Sequence, residues 1–175
     1  MRLFTAIAPP HEVRESLYER LDELRVARED LRWVPPQNLH LTVRFLGDCG
    51  EREADRQIEH WSRRCAAIGP FDLRLRGAGC FPHTWMAKVL YAAVECDEAP
   101  WSRLAGAEQS PHVTVARARK AIDLTGAVDE LSGYLSATWR AQEVTMYRSF
   151  IERGRAPRYV PLESFVLGGD DRVAK

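Results

Sequence analysis

The sequence predicts an α+β fold in which two related lobes face each other across a groove. The first observation is a repeated tetrapeptide, His-apolar-Thr-apolar, which occurs at residues 40–43 and again 72 positions later at residues 112–115. The second is that strand-like and helical segments alternate along the chain in an order that roughly repeats, with one copy of the motif in each half. Both motifs would then line the groove between the lobes.

The first half of the chain alternates extended segments with amphipathic helices. Proline pairs end the extended segments, because proline has no backbone N–H to donate, and apolar residues recurring every three or four positions mark the helices. The predicted elements are, in order, a strand at 3–8, a helix carrying Val13, Leu17, Leu21 and Leu24, an extended segment at 31–34, the first motif strand at 40–47, a helix carrying Ala54, Ile58, Trp61 and Cys65, and a strand at 71–75.

The second half is predicted to be richer in strands. Its helix of 124–135 is weakened by two glycines, which are poor helix formers. The predicted elements are, in order, a turn-rich link at 77–82, an apolar and therefore central strand at 86–94, a segment at 97–110 with room for two helical turns, the second motif strand at 111–117, a third long helix carrying Leu124, Val128, Leu131 and Leu135, and a hairpin of strands 141–150 and 159–167 joined by a mobile loop at 152–158.

Each motif places an imidazole and a hydroxyl on one face of its strand. Successive strand residues point to opposite faces, so His40, Thr42 and Arg44 share one face, while the apolar residues between them, Phe45 included, face the core. The second copy has the same alternation. Histidine titrates near neutral pH and threonine supplies a hydroxyl, so the face suits proton transfer beside a small anion.

Two copies are more informative than one, because a single His-x-Thr arises readily on any strand with a polar face. Facing His40 across a groove, His112 would complete an acid–base pair, and Thr114 would add a second hydroxyl. Strict alternation puts Arg117 on the face opposite His112. Its guanidinium would reach the groove only if the strand ends or bulges near Ala116.

Composition restricts the remaining choices. The formal net charge is zero and the pI is near 7, which argues against tight nonspecific binding to long nucleic acid. The four cysteines lie 15 or 16 residues apart with no C-x-x-C pair, so we expect lone buried thiols rather than a zinc site. No apolar run reaches spanning length, so we expect a cytoplasmic protein.

Residues 32–47 (RWVPPQNLHLTVRFLG) and 110–117 (SPHVTVAR) closely resemble the two signatures of the bacterial and archaeal RNA 2′,3′-cyclic phosphodiesterases, once called 2′-5′ RNA ligases, of the two-histidine phosphoesterase superfamily. The N-terminal RLFTAI, the GCFP turn at 79–82 and Tyr147-Arg148-Ser149 with a later Tyr159 also fit. The resemblance implies one domain over residues 1–175, made of two pseudo-repeated antiparallel-sheet lobes with helices outside and a central cleft.

The resemblance also implies an activity and residue roles. The activity is metal-independent, cofactor-free hydrolysis of RNA 2′,3′-cyclic phosphate ends to 2′-phosphates, with weak reverse 2′-5′ ligation. The implied roles are His40 as proton donor, His112 as proton acceptor, and Thr42, Thr114 and Arg117 as phosphate-binding residues. Arg44, Phe4 and Phe81 are further candidate substrate contacts.

Two departures from the family pattern bear on the substrate. The segment at 95–110 is shorter than the family usually carries, and Lys-Val-Leu-Tyr at 88–91 stands where the family tends to have Arg-Val-Leu-Trp. We expect the partners to be RNA ends or small cyclic-phosphate nucleotides, and we expect a monomer that does not associate with membranes. A non-catalytic module that binds RNA ends is the alternative from another class, but binding alone would not require two titrating groups.

Overall fold

The computed structural model describes residues 1–168 of the chain. Its elements are β1 (Arg2–Ile7), α1 (His11–Arg20), α2 (Asp22–Ala27), β2 (Arg32–Trp33), a short 3₁₀ turn (Pro36–Asn38), β3 (Leu41–Asp48), α3 (Glu51–Ala66), β4 (Phe71–His83), β5 (Met86–Cys96), α4 (Glu98–Ala105), β6 (His112–Ile122), α5 (Thr125–Leu131), β7 (Trp139–Ala141), β8 (Glu143–Phe150) and β9 (Arg158–Val166). The predicted α+β class is confirmed.

The strands form one antiparallel sheet in the order β7-β4-β5-β6-β3-β1-β8-β9, with β2 alongside β6. The two motif strands, β3 and β6, are neighbours in this order, and Leu41 pairs with Val113 where they meet. Both residues are fully buried. Because β3 and β6 are antiparallel and pair at the first residue of β3 and the second of β6, each strand runs away from the junction into its own half of the sheet.

The helices and the sheet share one hydrophobic core. The predicted helix over 13–24 is present but divides at Leu21 into α1 and α2, and its apolar positions are buried as expected. Helix α3 buries Ala54, Trp61 and Cys65, which confirms the second predicted helix. Helix α4 provides the two turns expected between β5 and the second motif strand.

The predicted turn-rich link at 77–82 is wrong, because β4 continues through it to His83. The strand remains paired with β5 from Ala78 onward, and the irregularity is a bulge between Leu75 and Ala78. Gly77 adopts a positive φ of 67° within this bulge, a conformation that costs glycine little. The glycine therefore kinks a long strand here.

The predicted third helix is shorter than expected. Helix α5 ends at Leu131, and Leu135, expected on its buried face, is 54% exposed and forms an isolated bridge with Arg76. Beyond the end of the helix, the Tyr134 carbonyl accepts a hydrogen bond from the Gly77 amide. Strand β6, in contrast, runs on to Ile122 rather than ending at 117.

All four cysteines are free thiols, and Cys49, Cys65 and Cys80 are buried. Burial raises the pKa of Cys65 and of Cys80 to about 11, so both stay protonated and weakly nucleophilic near neutral pH. Within residues 1–168, no helix combines the length and the apolar character needed to cross a membrane.

Candidate active site

The register between the motif strands brings the two motifs together. Leu41 faces Val113 across the antiparallel pair, so one step along each strand sets His40 beside Thr114 and Thr42 beside His112. Neighbours across antiparallel strands lie on the same face, and Leu41 and Val113 occupy the core face. The two imidazoles and two hydroxyls therefore gather on the opposite face.

Both histidines are oriented by the same kind of hydrogen bond. Nδ1 of His40 lies 2.7 Å from the Asn38 carbonyl oxygen, and Nδ1 of His112 lies 2.8 Å from the Ser110 carbonyl oxygen. A carbonyl oxygen only accepts, so Nδ1 carries the proton in each ring and Nε2 is the atom left for proton exchange. In the first motif, Nε2 of His40 is 3.0 Å from the Thr42 hydroxyl oxygen.

The surroundings of His40 lower its pKa below the ordinary histidine value. Burial of the half-buried ring is the largest cause, and the electrostatic effects of Arg117 and His112 act in the same direction. The hydrogen bond to the Asn38 carbonyl opposes them. Neutral His40 is therefore favoured when no anion is present, and a phosphate between the imidazoles would favour its protonation.

Aromatic rings enclose His40. The Phe4 ring centroid lies 5.0 Å from that of His40, and the Tyr159 ring stands nearly perpendicular to the imidazole at 5.3 Å. Tyr147 stacks on the far side of Phe4 at 5.3 Å. These residues come from β1, β8 and β9, which lie beside β3 in the sheet.

A second pair of rings encloses His112. Phe81 from β4 meets the imidazole edge-on at 4.9 Å, and Tyr91 from β5 lies at 5.2 Å. Gly79 makes room for the tyrosine, because a Cβ there would stand 2.4 Å from the Tyr91 hydroxyl oxygen. Each histidine thus has two aromatic neighbours from the strands of its own half of the sheet.

A bulge in β6 turns Arg117 toward the histidines. Val115 is skipped in the pairing with β5, and both Val115 and Ala116 are buried, so the alternation of faces restarts one residue later. Arg117 consequently lies on the face of His112. A bulge near Ala116 is the condition under which the sequence allowed Arg117 to reach the groove. The charge of its guanidinium lowers the pKa of His40, in keeping with this position.

A matching bulge in β3 turns Arg44 away from the histidines. Val43 is skipped in the pairing with β1, so Arg44 follows it onto the core side of the strand. Its Nη2 donates to the Ala105 carbonyl oxygen at 3.1 Å, at the C-terminus of α4. The prediction that Arg44 shares a face with His40 is wrong.

The same bulge exposes Phe45, which was expected in the core. Phe45 is 67% exposed, pairs with Phe4 across the β1–β3 ladder and lies 6.1 Å from it, ring to ring. Since Phe4 contacts His40, Phe45 extends the aromatic wall of the cleft. Its position in the first motif corresponds to that of Arg117 in the second.

Three residues that shape the site were not assigned to it from the sequence. Asn38, two residues before the first histidine, is buried, and its Nδ2 donates to the Pro157 carbonyl oxygen at 2.7 Å. Tyr159 and Tyr91 contact the histidines from strands distant in the sequence. A polar residue just before a motif strand was a usable signal for Asn38, but only the order of strands in the sheet reveals the tyrosines.

The arrangement suits a small anion: two titratable nitrogens, two hydroxyls and one guanidinium converge on one face. Thr42 is buried and Thr114 is half-buried, so both hydroxyls are largely shielded from bulk water. Within the described part of the chain, no group of three or more His, Cys, Asp or Glu side chains is arranged to hold a metal ion.

Comparisons with known proteins agree with this geometry. A family model described as LigT like Phosphoesterase matches residues 7–91. A Thermus thermophilus protein named RNA 2′,3′-cyclic phosphodiesterase is 31% identical, with 97% of this chain and 92% of the relative covered. The protein of the same name from Methanothermobacter thermautotrophicus is 30% identical over 95% of this chain and 99% of its own length.

Solved structures share the fold. A crystal structure of a Thermus thermophilus protein superposes with a TM-score of 0.78 at 30% identity, covering 97% of this chain and all of the other (100%). E. coli LigT with 3′-AMP gives a TM-score of 0.71 at 27% identity, covering 95% and 97%. With a paired-histidine cleft and relatives matched over nearly their whole length, the chain belongs to the LigT-like phosphoesterase family of the two-histidine superfamily, and it is a phosphodiesterase.

Proposed function

We propose that the protein hydrolyses RNA 2′,3′-cyclic phosphate ends to 2′-phosphates, with His40 as general acid, His112 as general base and no metal ion. The observation that carries the proposal is the matched pair of Nδ1–carbonyl hydrogen bonds. These bonds occupy Nδ1 of both rings, so Nε2 is the nitrogen that remains for proton exchange, as paired acid–base catalysis requires. The names of the relatives support the substrate class.

In the proposed reaction, water replaces the 3′ oxygen on phosphorus. Neutral His112 accepts a proton from water through Nε2, and the resulting hydroxide forms the new P–O bond. The bond from phosphorus to the 3′ oxygen breaks, and protonated His40 donates its Nε2 proton to that oxygen. Solvent exchange then restores the starting protonation states. Each proton transfer contributes about 10²–10⁴-fold to the rate.

The phosphate itself supplies the condition for His40 to act as an acid. In the free protein, burial and the charge of Arg117 lower the His40 pKa. A bound phosphate anion offsets the charge of Arg117 and favours the protonated ring. Protonation of His40 is therefore coupled to substrate binding.

Three further side chains are proposed to bind the phosphate oxygens. Thr42 and Thr114 offer hydroxyl donors beside the histidines, and Arg117 offers a guanidinium that matches two phosphate oxygens at once. Donors fixed before the reaction stabilise the charge that grows on phosphorus oxygens in the transition state. Phe81, which contacts His112, is proposed to pack against the terminal nucleoside, whereas Phe4 is only 3% exposed and is proposed to support the His40 ring.

A 2′-5′ ligation would use the same two groups with a different nucleophile. An RNA 5′-hydroxyl in place of water could be joined to the cyclic end by the same two groups, which gives a 2′-5′ linkage. We expect this ligation to be weak, because water is present at far higher concentration than any RNA end.

The test is turnover of a short RNA with a 2′,3′-cyclic phosphate in excess chelator, with the product identified by phosphorus NMR. The proposal expects a 2′-phosphate as the sole product. A 3′-phosphate, or no turnover by folded protein, contradicts it. A nucleoside 2′,3′-cyclic phosphate assayed in parallel distinguishes an RNA-end enzyme from one that acts on small nucleotides.

A further inference from the structure

We propose that the tip of the β4–β5 hairpin binds an RNA base upstream of the cyclic phosphate, with Trp85 as the stacking surface. The inference rests on the proposed function, because it assigns the end of the cleft into which the RNA chain continues. His83 and Trp85 form the surface: their rings are 6° from parallel, with centroids 5.0 Å apart. Trp85 is 63% exposed, although large aromatic side chains are usually well buried.

The hairpin tip faces the same side of the sheet as the catalytic histidines. Met86 precedes the fully buried Ala87 in β5, so Met86 points away from the core. His83 pairs with Met86, and paired residues of antiparallel strands share a face. Earlier in β4, the Phe81 ring contacts His112. The surface from His112 to the hairpin tip is therefore continuous.

The distance along this surface identifies which base would bind. The Phe81 ring lies 4.9 Å from His112, and Trp85 lies 5.0 Å beyond His83. With two steps along the strand from Phe81 to His83 at about 3.3 Å each, the path is roughly 17 Å long. A terminal nucleotide with its phosphate between the histidines is too short to reach Trp85, but a base further upstream is not.

The turn that carries Trp85 is held in place before any ligand arrives. The Leu124 amide donates to the Thr84 carbonyl oxygen at 2.7 Å, and Leu124 is itself buried in the core. A fixed aromatic surface binds with less loss of conformational freedom than a flexible one.

Positive charge lies between the tip and the histidines. Lys88 of β5 and Arg119 and Lys120 of β6 are exposed, and the β5–β6 register places them in the same stretch of the sheet. Within residues 1–168, these three side chains form no ion pair. A basic path beside stacking rings is how proteins bind single-stranded RNA without reading its sequence.

The experiment compares kcat/KM for a hexanucleotide RNA ending in a 2′,3′-cyclic phosphate with kcat/KM for a nucleoside 2′,3′-cyclic phosphate. Trp85→Ala is expected to lower the hexanucleotide value about tenfold and to leave the nucleoside value unchanged, because only the longer substrate reaches the stack. Trp85→Phe should retain part of the preference. Val26→Ala, at an 80% exposed position on α2, is the control and should change neither value.

The outcomes separate this proposal from the proposed function. The proposal that Trp85 is a stacking surface is overturned if Trp85→Ala affects both substrates equally or affects neither. It is also overturned if the wild type shows no preference for the longer substrate. If the wild type turns over neither substrate, the proposed function fails. The stacking surface is then tested by fluorescence anisotropy, which measures binding of the same hexanucleotide with an ordinary 3′-hydroxyl end. Trp85→Ala must weaken this binding about tenfold, and unchanged binding rejects the stacking surface.

Discussion

At the scale of single residues, the two catalytic candidates are held by the same kind of hydrogen bond. Each imidazole donates from Nδ1 to a carbonyl two residues earlier, so the peptide geometry of the motif fixes the tautomer. His40 in addition lies half-buried near Arg117, and these surroundings lower its pKa. The two rings are therefore oriented alike, and the surroundings of His40 favour its neutral form until an anion binds.

Removing the Arg117 charge tests this electrostatic coupling. Arg117→Ala is expected to raise the His40 pKa, because a nearby positive charge that disfavours the imidazolium is lost. NMR titration of the imidazole Cε1–H resonance, assigned with His40→Gln, measures the change. The control is Arg63→Ala, which removes an exposed arginine of α3 and should leave the His40 pKa unchanged. An unchanged or lower His40 pKa in Arg117→Ala contradicts the assigned cause.

Gly79→Ala tests the packing around His112. The new Cβ would stand 2.4 Å from the Tyr91 hydroxyl oxygen, so the tyrosine ring must leave its place beside the imidazole. We expect kcat/KM to fall roughly 10- to 100-fold, since small displacements of catalytic groups have effects of this size. Gly126→Ala in α5, where a Cβ meets nothing within 4 Å, is the control. Full activity in Gly79→Ala would show that Tyr91 has no part in positioning His112.

At the scale of elements, two bulges at the same motif position determine which side chains lie on the face of the histidines. Val43 in β3 and Val115 in β6 are both skipped in the strand pairing. Each bulge reverses the facing of the residues that follow, which brings Phe45 to the cleft in one strand and Arg117 in the other. We propose that this correspondence reflects two pseudo-repeated lobes, each built around one motif strand.

Arg44→Ala tests the facing that the β3 bulge creates. The guanidinium donates to a carbonyl at the C-terminus of α4, so its loss should lower the free energy of unfolding by about 1 kcal/mol. Turnover should not change, because the side chain lies on the face away from the histidines. Chemical denaturation and kcat/KM measured on the same variant check both expectations. A large fall in kcat/KM at unchanged stability would restore Arg44 as a substrate contact.

Much of the element order could be predicted from the sequence, because periodicity and prolines are local signals. The motif strands, α3 and the closing hairpin all follow from such patterns. The bulges could not be predicted, since a bulge is defined by which residues of the neighbouring strand are paired. For the same reason Phe45 was expected in the core and residues 77–82 in a turn.

At the scale of the whole molecule, the two halves of the sheet meet at a narrow junction but share one core. Direct pairing between β3 and β6 consists of Leu41 with Val113, whereas the buried side chains of both halves form a single cluster. The site lies at this junction, so its geometry depends on both halves being folded together. The net charge of zero leaves local positive charge, rather than a global field, to attract RNA ends.

A shared core predicts one cooperative unfolding transition. Tryptophan fluorescence, which reports on Trp61, Trp101 and Trp139 in buried positions, should follow the same denaturant curve as far-ultraviolet circular dichroism. Coincident curves would support the prediction of one domain. Two separate transitions would mean that the halves fold independently.

The most direct test of the central claim is single-turnover hydrolysis of a 2′,3′-cyclic phosphate RNA in chelator by the wild type, His40→Ala, His112→Ala and the double variant. The account predicts that the wild type is active and that each single variant loses about 10²–10⁴-fold. The double variant should be little worse than the single ones, because two groups that act as a unit are not additive. Substantial turnover by either single variant, or loss of wild-type activity in chelator, would contradict a metal-independent pair of histidines.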